Sequence, residues 1–217
     1  MRTLIAFAGL AALTACNSEA EPPPAEQSPQ AAFWDALSSH CGQAYSGALV
    51  SNDEADADMR GADMAMHVRG CTDSEIRVPF HIQGDDGEWN RSRTWVFTRT
   101  GSDGEGGLRL KHDHRHEDGT SDAVTMYGGD TAAPGSARAQ EFPVDGESIA
   151  LFEREGLDVS VTNVWRVEVD PAKAANAQFA YQLRRTVAGG APEPRNFRVE
   201  FDLTQPVEPP PPPWGSE

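Results

Sequence analysis

Leu108 to Gly119 reads LRLKHDHRHEDG. Taken as a β-strand, it places Leu108, Leu110, His112, His114 and His116 on one side. Arg109, Lys111, Asp113, Arg115 and Glu117 fall on the other, because successive side chains of an extended chain point to opposite faces. The second set alternates in sign, as a solvated face does. The first starts aliphatic and becomes a row of imidazoles, which an enclosed but wet interior would explain. The rhythm to look for on either side is therefore a period of two.

That rhythm fills most of the chain. Upstream, Tyr45 to Ser51 reads as a first strand. Met64, Met66 and Val68 share a face, as do Val78, Phe80 and Ile82, and then Trp95 and Phe97 within Arg93 to Thr100. Downstream, Ala123 to Tyr127 is expected to be a strand. Val159, Val161, Asn163, Trp165, Val167 and Val169 form one long alternating face. Phe179, Tyr181 and Leu183 form another, and Phe197, Val199, Phe201 and Leu203 a third. Polar residues between them mark antiparallel strands with one wet side. Turn signals separate the runs: Asp85-Asp86-Gly87, Asp103-Gly104, Gly106-Gly107, Asp118-Gly119, Asp145-Gly146 and Gly189-Gly190. The stretch from Gly128 to Gly146 is expected to be a long connection over a barrel mouth. One helix is expected near the start. Ser28 caps it, Pro29 takes the first position, Phe33, Trp34, Leu37 and Cys41 follow at three-and-four spacing, and Gly42 ends it.

The expected fold is all-β: an antiparallel up-and-down barrel of about 8–10 strands with one short N-terminal helix, in a single domain over residues 28–205. Helix followed by meander resembles the calycin architecture of lipocalins and fatty-acid-binding proteins. The lipocalin Gly-x-Trp signature is absent, the chain having Tyr45-Ser46-Gly47 instead. A two-sheet β-sandwich is the alternative.

The first residues carry an address. Arg2 precedes an apolar run from Leu4 to Leu13, too short to span a bilayer, which ends in Leu13-Thr14-Ala15-Cys16. This resembles the lipobox of bacterial lipoproteins. The resemblance implies a signal peptide over 1–15, cleavage before Cys16 and acylation of that cysteine. Asn17 in the next position implies, by the same likeness, sorting to the outer membrane, facing the periplasm. More than one acyl chain is needed for a stable anchor. Residues 16–27, acidic and proline-rich, then read as a lipidated tether. From Pro206 the chain becomes proline-rich again and is expected to be a disordered tail over 206–217. The mature chain also resembles a group of small proteobacterial envelope proteins, a likeness that brings no activity with it.

With 20 glycines and 16 prolines in 217 residues, the composition suits a loop-rich β domain. A formal charge of −16 argues against nucleic-acid partners, which need a basic surface. With Cys16 consumed by lipid, Cys41 and Cys71 remain as a pair for a disulfide, suited to an oxidising compartment and contributing on the order of 3 kcal/mol. Two buried thiols are the alternative.

For chemistry, His112 and His114 stand at i and i+2 with Cα atoms roughly 6.5–7 Å apart, a spacing that can share a transition metal. His116 would lie about 13 Å from His112, too far to join. His67 and His81 fall on the wrong faces of their strands to complete such a site. The run Gly106, His112, His114, Glu117 approaches the cupin motif, and His112, His114, His116 approaches that of metallo-β-lactamases. Each lacks required ligands. The Asp53 to Asp63 stretch puts Arg60 and His67 where calcium needs oxygen and reads as a solvated loop. The leading expectation is thus an envelope lipoprotein binding a small ligand or partner in a barrel lumen or at its rim, lined by Trp95, His112, His114, His116, Asn163 and Trp165, with no cofactor required. A metal-dependent enzyme using His112 and His114, and an assembly accessory docking through its proline-rich tail, are the alternatives.

Overall fold

The computed structural model describes residues 27–101 and 106–216. The signal peptide, the tether up to residue 26 and Cys16 lie outside the described residues. The chain runs through helix α1 (Pro29–Ser38) and strands β1 (Ala44–Leu49), β2 (Met64–His67), β3 (Glu75–Gln83), β4 (Trp89–Arg99), β5 (Leu108–His114), β6 (Tyr127–Asp130) and β7 (Ala139–Pro143). Helix α2 (Gly146–Arg154) follows, then β8 (Val164–Val169), β9 (Gln178–Arg185) and β10 (Arg195–Val207). All ten strands form one antiparallel sheet in the order β6-β5-β4-β3-β2-β1-β10-β9-β8-β7. Every neighbour is a sequence neighbour except β1 and β10, whose pairing curls the sheet into a nearly closed up-and-down barrel. A sandwich would need two sheets, so the barrel reading holds.

The α1 expectation is met at its start and on its buried face, whereas the helix ends at Ser38, before Cys41 and Gly42. Ser28 Oγ accepts from the Ala31 N–H, Pro29 opens the helix, and Phe33, Trp34 and Leu37 are buried in the barrel core. The helix plugs one end, where the Arg99 guanidinium lies 4.8 Å over the Trp34 ring. Cys41, just beyond it, is bridged to Cys71 before β3, so the disulfide pins the plug to the wall. Behind the plug, buried His40 donates from Nε2 to the Asp170 carbonyl, 2.8 Å, and accepts at Nδ1 from the Tyr45 hydroxyl, 2.8 Å.

Five expectations fail for identifiable reasons. The Ala123 to Tyr127 segment is irregular, and the strand begins only at Tyr127, running through Gly128 and Gly129. Those glycines are required by close approach: a Cβ on Gly128 would sit 1.8 Å from the Leu110 carbonyl oxygen, and one on Gly129 1.7 Å from that of Pro143. The expected long connection from Gly128 to Gly146 instead holds β6 and β7. Asp145-Gly146 is not a turn but the start of a helix, with the Asp145 carboxylate accepting from the Ser148 N–H. The alternating run from Val159 is broken by a turn of 3-10 helix over Asp158–Ser160, so β8 starts at Val164 and Val159 is exposed. Finally, the tail is not disordered over its described residues. β10 runs to Val207, Pro213 is buried, and the extended segment lies along the barrel's outer wall. There His81 donates from Nε2 to the Pro211 carbonyl, 3.0 Å, Arg91 to that of Pro212, 2.7 Å, and Trp214 N–H to that of Arg91, 3.2 Å.

Between β6 and β7 the sheet has no ladder, and the start of α2 closes the seam. The Asp145 N–H donates to the Gly128 carbonyl, 2.9 Å, while Ser148 Oγ accepts from the Gly128 N–H, 2.8 Å, and donates to the Gly128 carbonyl, 3.1 Å. Lys111, on the outer face of β5, reaches the Asp145 carboxylate at 2.6 Å. That face of β5 is therefore not simply solvated: Lys111 and Asp113 are both buried.

Inside, the strands are in register and grade from apolar to polar away from the plug. β4 presents Phe97, Trp95 and then Arg93, paired across β5 with Leu110, His112 and His114. β3 contributes Ile76, Val78 and Phe80 opposite the same residues of β4. β10 runs Phe201, Val199, Phe197, Arg195 in the same direction. The polar ends of β4, β5 and β10 thus meet at the end opposite α1, the barrel mouth.

Candidate functional site

The floor of the mouth is an aromatic stack. Trp95 lies between Phe80, 4.9 Å between ring centroids, and Tyr181, 4.5 Å, with Phe179 at 5.6 Å. Offset stacks of this kind are worth ~1 kcal/mol per pair beyond the area they bury. They also fill most of what would otherwise be a lumen. Above the stack remains a cavity of about 160 Å³, walled by Trp95, Phe80, Phe197 and Leu183, with His112, His114, Tyr127, Arg93, Arg195, Asp56 and Met59 at its sides and top. A wider depression of about 470 Å³ lies outside the barrel between Trp89, Pro211 and Trp214, open to solvent and away from the histidine row.

His112 is buried with both ring nitrogens engaged. Nδ1 faces the Tyr127 carbonyl oxygen at 3.0 Å, and Nε2 faces the Tyr181 hydroxyl at 2.8 Å. A carbonyl can only accept, so Nδ1 carries the proton and Nε2 accepts from Tyr181. The ring also stacks on Tyr127, 4.7 Å, and meets Trp165, 5.0 Å. Burial disfavours the imidazolium and pushes the His112 pKa down to about 3, the Tyr127 contact opposing the shift. His114, one layer nearer the mouth, sits 3.2 Å from the Tyr127 hydroxyl. Its pKa falls to about 4, first through burial and then through the Arg93 charge. Burial raises the Tyr127 hydroxyl to about 12, so it stays protonated. The two histidines and two tyrosines form a neutral hydrogen-bonded group at physiological pH.

A lid covers the mouth. The loop between β1 and β2 makes two short 3-10 turns over Glu54–Met59, kinked at Asp56, that bring Met59 and Asp56 to the cavity. Asp56 is 1% exposed, and both its oxygens bind the Arg195 guanidinium, with Nη1 at 2.7 Å from Oδ2. Asp53 adds a second carboxylate to Arg195, 2.7 Å, and accepts from the Asn196 N–H, 2.7 Å. The acidic stretch read as a solvated loop is thus a lid with a buried carboxylate. Hydrogen bonding and charge from Asp56 and Asp53 hold the Arg195 pKa above its usual value.

Of the residues singled out by sequence, Trp95, His112 and His114 line the cavity. Trp165 packs behind His112 without reaching the cavity wall. His116 does not belong: β5 ends at His114, and His116 sits exposed in the turn, its N–H bonded to the Thr120 carbonyl. Asn163 does not line the cavity either. It is buried before β8, where its carbonyl accepts from the Val144 N–H. A shared metal at His112 and His114 meets a physical obstacle, since the only lone pair on His112 is already taken by Tyr181. Among the described residues no group of three or more His, Cys, Asp or Glu side chains is arranged around a common point that could hold a metal ion. His81 faces outward beneath the tail rather than toward this site.

Sequence reasoning missed Arg93, Arg195, Asp56, Tyr127 and Tyr181. Arg93 shares parity with Trp95 and Phe97, and Tyr181 lies on an otherwise apolar face where a buried hydroxyl needs a partner. Those signals were present. Asp56 and Arg195 are 139 residues apart, and nothing local links them. No protein-family model, curated protein or solved structure matches the chain. No helix among the described residues is long and apolar enough to cross a membrane.

Proposed function

We propose that the chain is a lipid-anchored protein of the bacterial envelope, held at the periplasmic side of the outer membrane through Cys16, which binds a small molecule in the mouth of its barrel. The observation that carries the binding reading is the lidded cavity itself. Aromatic walls with a few convergent polar groups are the usual character of a ligand site. At about 160 Å³ it is small, close to the volume that accepts a benzene-sized guest, so the ligand has on the order of six to ten heavy atoms. A lipid chain is too long for it.

The metal-enzyme alternative loses its support in the engaged nitrogens of His112. The tail-docking alternative loses its free arm, since the proline-rich segment packs on its own barrel. The anchor rests on the Leu13-Thr14-Ala15-Cys16 motif. Palmitate labelling that disappears in Cys16→Ser is the expected result, and equal labelling of both chains removes the anchor. For the cavity, the test is a fragment screen of the full chain read on the side-chain resonances of Trp95, His112 and His114. Saturable shifts abolished by the cavity-filling Leu183→Trp substitution are expected. Screens that move none of these resonances refute the binding reading.

A further inference from the structure

Arg93 is the cation in this cavity that structure leaves without a counter-ion. It occupies an inward position of β4, two residues from Trp95, opposite Phe80 on one side and His114 on the other. Its hydrogen bonds go to neutral oxygens, Ser92 Oγ at 3.2 Å and Asn90 Oδ1 at 3.5 Å, both long. No carboxylate among the described residues pairs with it. Arg195, the second arginine of the cavity, is by contrast saturated by Asp56 and Asp53. Asp56 and Asp53 thus offset Arg195, which leaves Arg93 as the cavity's unpaired positive charge beside neutral histidines, inside a chain whose formal charge is −16. An unpaired guanidinium at the cavity favours an anionic group there over a neutral one of the same shape.

Guanidinium forms a planar fork that matches a carboxylate with two parallel hydrogen bonds. The Tyr127 hydroxyl and His114 lie beside it as further polar contacts, and the Trp95 stack offers a flat apolar floor. Resting on the binding reading above, we propose that the ligand is a small organic carboxylate with a short or monocyclic apolar body, its acid group held by Arg93 and its body on Trp95.

Calorimetric titration of the full chain with benzoate and with benzamide tests this, because the two probes share a shape and differ in charge. Benzoate is expected to bind at least about tenfold more tightly, the size of one charge-assisted hydrogen-bonded contact. That preference should vanish in Arg93→Gln and return in part in Arg93→Lys, with unchanged melting temperatures showing that the barrel is intact. Should Arg93→Gln fail to fold, loss of the wild-type preference in high salt serves as the second measurement. Equal affinity for both probes overturns the carboxylate inference while leaving the cavity reading standing. No saturable binding of either overturns both.

Discussion

Acid should destabilise this barrel through its interior histidines. The perturbation is a drop from pH 7 to 4.5. In the unfolded chain an imidazole titrates near 6.5, whereas His112 in the barrel resists protonation down to about 3 and His114 down to about 4. Because the folded values are depressed, the unfolded state binds more protons in this window, and stability falls as pH falls. Two pH units below 6.5 cost about 3 kcal/mol for a group that stays neutral when folded. The pair therefore accounts for a loss of about 5 kcal/mol by pH 4.5, a large part of the stability of an ordinary domain. Burial also lowers the pKa of His40, His67 and His81, which adds to the trend in the same direction. Urea unfolding at half-unit pH steps measures it, and His112→Gln should reduce the slope by close to one proton whatever its effect on absolute stability. A free energy of unfolding that stays flat between pH 6.5 and 4.5 would refute the buried, neutral imidazole pair.

Replacing both Cys41 and Cys71 with serine should cost about 3.5 kcal/mol on the chain-entropy model for a separation of 30, lowering Tm by roughly 7–14 °C in a scanning melt. Arg195→Met strands the buried Asp56 carboxylate and should destabilise the chain by about 3 kcal/mol or more. Amide exchange should quicken over residues 53–60 in that variant, and unchanged exchange there would mean the ion pair does not hold the lid. Deleting Glu208 to Glu217 removes the acceptor of His81 and uncovers the wall beneath Pro213, for an expected loss of about 1–2 kcal/mol in urea unfolding. An identical unfolding curve would return the tail to the status of a free arm.

Strand character and face were legible wherever β-branched and aromatic residues alternate, as in Trp95 and Phe97 or Phe197 to Leu203, since burial of one face is what imposes the period. The same logic failed where the backbone itself was the structural element. Gly128 and Gly129 form a strand because neighbouring carbonyls leave no room for side chains, and glycine carries no strand signal of its own. Asp145-Gly146 satisfies the rule for a turn and the rule for a helix cap equally well. Only the tertiary bonds of Ser148 and Lys111 select the cap. For the site, parity found Trp95, His112 and His114, and overshot to His116 because the strand ends where the hairpin at Asp118-Gly119 takes over. The lid ion pair joins residues from opposite ends of the chain and had no local trace. The proline-rich tail illustrates the converse. Its composition favours an extended backbone in either case, and three hydrogen bonds from the barrel wall turn that extension into packing.

The pairing of β1 with β10 also has a temporal side. Strands β1 to β6 pair through local hairpins, and the 41–71 bridge joins residues only 30 apart. The ring cannot shut until its final strand has emerged, more than 150 residues after the first one. Until then Ile76, Phe97 and Leu110 face open water on a half-built wall. Any block that truncates the chain before β10 therefore leaves a sticky, unclosed sheet rather than a smaller barrel.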